Sequence, residues 1–429
     1  MAEGVRFFVG DRIRPLAGMS AIVPHYPRVR VLPSNRTSQA SQVSRRGFLN
    51  GAAALGAGIL PPPITQAAES ELYPYATEAL IDAVEKSTLA RLAPETMILH
   101  HPQAGGYQYA HHPHLIRGPA GFLAMWSSGI AREDRPGQRI LWSRSPDGQS
   151  WSTPEVLLEC PEPPWRLTAG GWAVNAGRVY AFINRNRRAE SDSLRAGVVW
   201  YPPLYLDVME AGPDLRWSPP RTLDSDFLAN ESPRLTSAGT WLLAGYSARM
   251  EAAVLRSCAG PAEEYVFHPA PRIIIPKEEL RRARRTPPAR PLGEPSWYQR
   301  RDGTLVCFYR DDHASFRLFA SISSDDGITW SRPRATNIPD AKSKTAARVL
   351  TTGAAILVGN PCAARKRNVL AVLVSADGTK FDRGAILCDA GEGRYAYPSV
   401  IEHGGRLWIA YSINKHDIAV ASVAVSDVK

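Results

Sequence analysis

Three histidines stand within four residues in Tyr107-Gln108-Tyr109-Ala110-His111-His112-Pro113-His114. Imidazole exchanges protons near neutral pH, so such a cluster suits acid/base work, contact with a polar substrate or metal ligation. Neighbours on a strand alternate faces, so at most one of His111 and His112 should face a given side, and His112 is preferred. No metal is assigned, because convergent ligands cannot be read from one strand, and no other cofactor is expected. Arg394-Tyr395-Ala396-Tyr397-Pro398-Ser399 is a second candidate. There a phenol, Tyr397, and a guanidinium, Arg394, could work together as base or acid; a tyrosine packed at a strand start is the plain alternative. Arg185, Arg249 and Arg310 each follow an apolar run, Arg310 most clearly, in Phe308-Tyr309-Arg310-Asp311. Converging guanidiniums hold a carboxylate through paired charge-assisted bonds, whereas independent surface arginines would not converge. Glu231 and Glu294 are candidates for an ordinary carboxylate pair. His111, Lys344, Asn360 and Lys415 fall at equivalent places and are candidate substrate contacts.

These residues need a scaffold, and its clearest mark is Ser323-Ser324-Asp325-Asp326-Gly327-Ile328-Thr329-Trp330. Ser145-Pro146-Asp147-Gly148-Gln149-Ser150-Trp151 and Ser375-Ala376-Asp377-Gly378-Thr379-Lys380-Phe381 are shorter copies, and Asp214-Leu215-Arg216-Trp217 is a degenerate fourth. Asp147, Asp325 and Asp377 can each accept from nearby backbone N–H groups, the glycine supplies a positive φ, and the aromatic packs between strands. Such turns have a structural role.

The turns sit inside a longer unit that recurs about every 50 residues. Each unit opens with a short strand often marked by proline. The openings are His112–Leu115, Gly171–Val174, Ser232–Leu235, Glu294–Trp297, Ala347–Leu350 and Tyr397–Val400. Strongly apolar second strands follow at Phe122–Trp126, Val179–Ile183, Trp241–Tyr246, Leu305–Tyr309, Ala355–Val358 and Leu407–Tyr411. Six units with four strands each predict an all-β protein, a six-bladed β-propeller over residues 96–429. The last unit has no room for an outer strand, and a strand near Met97 is expected to complete it. Seven blades, with a cryptic unit in residues 68–110, is the second choice. Residues 69–95 read as an extension with a short helix, Leu80, Ala83, Val84 and Ala90 sharing a face. In a propeller the starts of first strands and the ends of second strands share one face, which gathers the candidates above.

The turns resemble the Asp-box (BNR) repeat of the sialidase superfamily. Residues 107–425 look most like its carbohydrate-degrading branch that removes terminal rhamnose from glucuronate. That likeness is carried by His111-His112-Pro113, Trp126-Ser127-Ser128-Gly129 with Glu133-Asp134, Ile338-Pro339-Asp340-Ala341 with Ser343-Lys344, Val358-Gly359-Asn360-Pro361 and Tyr397-Pro398-Ser399 with Asn414-Lys415. The resemblance implies a carbohydrate site and either hydrolase or lyase chemistry. It also implies that Tyr397 stands where sialidases place their tyrosine nucleophile. An Arg-Ile-Pro motif expected of a true sialidase is replaced by His112-Pro113-His114, which counts against sialic acid as substrate.

The formal charge of +10 is uneven, because residues 1–66 hold eight basic and two acidic side chains. The remainder is close to balanced, so the total does not signal nucleic-acid binding. Ser44-Arg45-Arg46-Gly47-Phe48-Leu49-Asn50, the apolar run Gly51–Leu60 and Thr65-Gln66-Ala67-Ala68 read as a twin-arginine export signal over residues 44–68. Residues 1–43 read as disordered or as a misassigned start, with Met19 the alternative. Ten apolar residues are too few to span a bilayer, and no transmembrane segment is expected in the mature chain. The five cysteines show no metal-ligand spacing; Cys307 and Cys362 lie in apolar runs and are expected as buried thiols. Together these readings predict a periplasmic or secreted bacterial enzyme. It would meet the twin-arginine translocase in transit and cleave a terminal sugar or linkage in an acidic glycan, uronate- or sialate-containing. A non-catalytic propeller that binds glycan or protein is the alternative.

Overall fold

The computed structural model describes residues 72–428 apart from 103–104, 189–199, 249–250, 274–291, 314, 390 and 392. The leader, with Arg45 and Arg46, and Arg249 lie outside the described residues. The apolar second strands are the natural starting point. Gly121–Gly129 is buried at every position and Ala355–Gly359 likewise, because each runs through the middle of a sheet covered on both faces. Each pairs antiparallel with a first strand on one side and a third on the other, and the sequential order of four strands gives six sheets. The sheets form a ring of six blades, and the seven-blade alternative is not adopted.

Closure explains that count. Glu95–His100 pairs antiparallel with Asp417–Ala424 and becomes the outer strand of the sixth blade. Leu99 then packs with Phe122 and Trp126 of the first blade and with Trp408 and Val420 of the sixth. Comparable apolar layers lie between every neighbouring pair of blades, so the core is a set of wedges rather than one central mass. The segment before Glu95 adds to the fifth blade instead of building a new one. Tyr75–Ala76 and Ala90–Arg91 pair parallel with Lys380–Asp389, and the helix Glu78–Glu85 between them buries Leu80. Thr77 caps that helix by accepting from the Leu80 N–H at 3.3 Å.

The Asp-box turns join third and outer strands. Asp147 Oδ1 accepts from the N–H groups of Gln149 and Ser150, both at 2.8 Å, while Ser145 Oγ accepts from Gly148 N–H at 2.8 Å. Asp325 and Asp377 repeat the pattern with Thr329 and with Thr379 and Lys380. Gly148, Gly327 and Gly378 have φ of 83°, 83° and 76°, the left-handed region where a side chain is strained. The indole N–H groups of Trp151 and Trp330 donate to the Gly148 and Gly327 carbonyls.

Serines stitch blade to blade around the channel. Ser399, Ser127, Ser232 and Ser296 accept from the backbone N–H groups of Leu115, Ala169, Trp172 and Ala347, each on an adjoining blade, at 2.9–3.1 Å. Two of these serines follow the prolines Pro295 and Pro398, so the proline-marked openings also carry the seam. All five cysteines are free thiols; Cys307 is buried as expected, whereas Cys362 lies half-buried in the loop after Ala355–Gly359.

Candidate active site

Three first strands break their pairing at the same place. The register shifts between His111 and His114, between Gly293 and Ser296, and between Ala396 and Ser399. Each shift is a bulge whose extra residues are a side chain and a proline. His112, Glu294 and Tyr397 occupy these bulges with φ of 56°, 51° and 60°. A non-glycine residue held there is strained by about 1–2 kcal/mol, and bulges re-aim side chains. Here three blades turn one functional side chain each toward the channel mouth.

Tyr397 and Glu294 meet directly. The phenol donates a hydrogen bond to Glu294 Oε1, while Arg310 Nη1 donates to Glu294 Oε2 at 2.8 Å and to the Tyr397 oxygen at 3.3 Å. Arg310 Nε is held by Asp312 Oδ1 at 2.8 Å. Burial works against the Glu294 carboxylate, but Arg310 and the Tyr397 hydroxyl outweigh it and hold the group below its ordinary range. Burial and the Glu294 charge push the Tyr397 phenol well up, so it rests as a neutral donor. Burial, with Glu294 adding to it against Arg310, leaves Asp312 above the usual carboxylate range.

The histidines form the other wall. The bulge cancels strand alternation, so both His111 and His112 join the site, which corrects the expectation that only one would. Their rings lie 4.1 Å and 5.0 Å from the Tyr397 ring, centre to centre. His112 Nε2 is 3.3 Å from Glu133 Oε1, and His111 Nε2 is 4.0 Å from the same oxygen. Lys415 pairs with Glu133 Oε2. Burial would raise the Glu133 carboxyl, but the histidines and Lys415 hold it far below its normal range, so it stays ionised. Its loop is anchored by the buried Arg166, which meets Asp134 at 2.9 Å.

Lys344 completes the floor. Its ammonium lies 5.9 Å from the Tyr397 ring centre, and burial brings it down to about 8 despite Glu231 and Glu294. Arg367 is near enough to Glu294, Tyr397 and His111 to act on all three electrostatically.

Other candidates are placed elsewhere. Arg185 donates to Asp207 at 2.7 Å and stacks on Tyr205 within the second blade. Its convergence with Arg310 is therefore not what the structure builds. Arg394 is exposed, and its backbone N–H donates to Asn414. Asn360 Nδ2 ties the fifth blade to the sixth by donating to the Tyr395 carbonyl at 2.9 Å, a structural role. Glu231 is locked between Arg234 at 2.6 Å and Arg348 at 3.0 Å and accepts from Ser296, so it braces the channel rather than pairing with Glu294.

Sequence reasoning assigned no role to Glu133, Asp312 or Arg367. Glu133 and Arg367 lie in loops between second and third strands, and Asp312 directly follows a second strand. Those loops emerge on the same face as the first-strand starts, and the charged runs Glu133-Asp134 and Arg365-Lys366-Arg367 within them are the signal that marks these residues.

The ring of six four-stranded blades, its Asp-box turns and a tyrosine–carboxylate pair at the channel mouth define a sialidase-like propeller. Residues 120–409, more than half of the chain, match the BNR repeat-like domain family, and the chain belongs to it. Among curated proteins, none matches the chain in sequence. Among solved structures it is similar to the Hadza microbial sialidase Hz136, with TM-score 0.64 and 14% identity over 78% of this chain and 69% of that one. The NanB sialidase from Streptococcus pneumoniae gives TM-score 0.60 and 12% identity over 78% and 71%. The Trypanosoma rangeli sialidase in complex with sialic acid gives 0.59 and 14% over 79% and 60%. At such identities the likeness is one of fold.

Proposed function

We propose that the protein is a carbohydrate-active enzyme that cleaves a glycosidic linkage to an acidic sugar seated over the channel mouth. One observation carries this reading: the Tyr397 hydroxyl donates to Glu294 while Arg310 bridges both. A phenol is a poor nucleophile until a base takes its proton as the new bond forms, and Glu294 is placed and ionised for that task. Tyr397 Oη attacks the anomeric carbon, its proton passes to Glu294, and the departing oxygen takes a proton from the histidine cluster. Water then displaces the sugar from Tyr397 with the proton movements reversed. Lys344 and Arg367 put positive charge beside Tyr397, which suits a carboxylated sugar.

Convergence of Arg310, His112 and Tyr397 in one pocket favours catalysis over a non-catalytic binding propeller. The same groups could instead remove a proton beside a uronate carboxylate, the chemistry of a lyase. Export by the twin-arginine route belongs to the same proposal and rests on Ser44–Asn50 with the apolar run behind it.

The test is a panel of uronate-ended and sialylated oligosaccharides incubated with protein starting at Ala68. Free sugar and the ultraviolet absorbance of an unsaturated product are read together. Sugar release without absorbance supports hydrolysis through Tyr397, and release with absorbance replaces it by elimination. Folded protein that acts on none of the panel overturns the catalytic reading in favour of glycan or protein binding.

A further inference from the structure

His111, His112 and Glu133 present one ligand atom each within 4.8 Å of one another, a geometry that proton exchange does not require. Two donors on one tetrahedral zinc, each about 2 Å from it, stand roughly 3.3 Å apart. The His112 Nε2 to Glu133 Oε1 separation is 3.3 Å and the His111 Nε2 to Glu133 Oε1 separation is 4.0 Å, so small side-chain shifts suffice. His111 Nε2 is fully buried, aims at the cluster and makes no hydrogen bond. Leaving a buried ring nitrogen unpaired is costly unless something else meets it.

The remaining atoms are already held as ligand-orienting partners hold them. His111 Nδ1 is bonded to Ser412 Oγ at 2.6 Å. His112 Nδ1 faces Ser127 Oγ at 3.2 Å and Tyr109 Oη at 3.4 Å. Glu133 Oε2 is taken by Lys415, leaving Oε1 on the histidine side, where Tyr109 Oη also donates to it at 3.4 Å. Hydrogen bonds of this kind fix which ring nitrogen is free and how each ligand points. Two adjacent histidines could not both aim this way from a regular strand; the left-handed turn at His112 makes it possible.

We propose that His111 Nε2, His112 Nε2 and Glu133 Oε1 bind a divalent transition metal of the zinc class, with the open coordination position on the Tyr397 side. Two imidazoles and one carboxylate with an open position match a catalytic rather than a closed structural set. With the metal bound the two Nε2 atoms no longer donate, and a water at the open position, made more acidic, would supply the proton to the departing oxygen in their place. Metal binding stands independently of the tyrosine reading, because its test needs no substrate.

Protein stripped with a chelator and dialysed is titrated with Co2+ and read in the visible, then competed with Zn2+ in a calorimeter. The expected result is about one equivalent of Co2+ with intense tetrahedral or five-coordinate bands that Zn2+ abolishes. Glu133→Gln and His112→Ala, each checked for native circular dichroism, should weaken binding at least about tenfold. Should His112→Ala lose its fold, Glu133→Gln alone decides. No metal uptake by the native protein overturns the proposal. So does uptake that both variants retain unchanged, which would place the ion at other groups.

Discussion

In the proposed reaction Tyr397 and Glu294 divide the work between them, and small side-chain changes separate their parts. Tyr397→Phe removes only the hydroxyl and should lower kcat by about 10²–10⁴-fold with KM little changed. Glu294→Gln keeps an acceptor for the phenol but takes away its base, and a similar loss is expected in steady-state assays on whichever glycan the panel identifies. A variant Tyr397→Phe with native kcat would remove the phenol from the chemistry. Asp340 allows a test without substrate. Burial raises its carboxyl to about 7, against backbone donation from Ser343 and the nearby arginines. Its folded value lies above its unfolded one, so its contribution is fully present below the unfolded pKa and is lost as pH rises through about 7. Asp340→Asn cannot ionise, so it should gain on the native protein as pH rises from 5 to 8, by about 2–3 kcal/mol. Urea midpoints at the two pH values measure that gain, and parallel curves would mean that Asp340 does not titrate in this window.

The bulged first strands connect these residues to the fold, and they mark where sequence reading succeeded and where it stopped. Strand order and the six second strands were legible because a buried central strand must be apolar throughout, as Phe122–Trp126 and Ala355–Val358 are. The Asp-box aspartates were legible because a tight turn with several backbone donors admits few side chains. Tyr397, Glu294, Arg310 and His112 were found as candidates because each starts a first strand or ends a second one. Their partners were not, because Glu133 and Arg367 come from irregular loops whose paths no periodicity reports. Arg185 occupies the expected position yet turns to Asp207, since a local carboxylate and the Tyr205 face compete for any guanidinium. The pairing of both histidines with one carboxylate was hidden for a different reason. Alternation is a rule for regular strands, and His112-Pro113 breaks it. The strain at that break predicts a stability difference. With the imidazole removed in both cases, His112→Gly should be more stable than His112→Ala by about 1 kcal/mol, because glycine alone adopts φ near 56° without cost. Chemical denaturation of the two variants measures it, and equal stabilities would mean that the bulge relaxes once the side chain is gone.

At the scale of the ring, closure is the property on which the site depends. Tyr397 and Lys415 belong to the sixth blade, the histidines and Glu133 to the first, and Glu294 and Arg310 to the fourth. The seam between sixth and first blades therefore runs under Tyr397, through the layer of Leu99, Phe122, Trp126, Trp408 and Val420. That layer joins the strand Glu95–His100 to Asp417–Ala424, so this seam forms only after residues 95–424 have all been made. Leu99 is 5% exposed, and Leu99→Ala leaves a cavity there at an expected cost of about 2–5 kcal/mol. A comparable cavity between the third and fourth blades, from Leu305→Ala, should cost a similar amount, since Leu305 is buried in the layer between them. The two variants differ in what else they disturb. Opening the sixth–first seam lets His111 move relative to Tyr397, a 4.1 Å ring contact that spans that seam. Leu99→Ala should thus lose activity at temperatures well below its own unfolding midpoint, while Leu305→Ala keeps activity up to its midpoint. Parallel thermal unfolding and activity curves for both proteins decide the matter. Coincident loss of fold and activity in both would show that the site is held by its own hydrogen bonds, whichever seam is weakened.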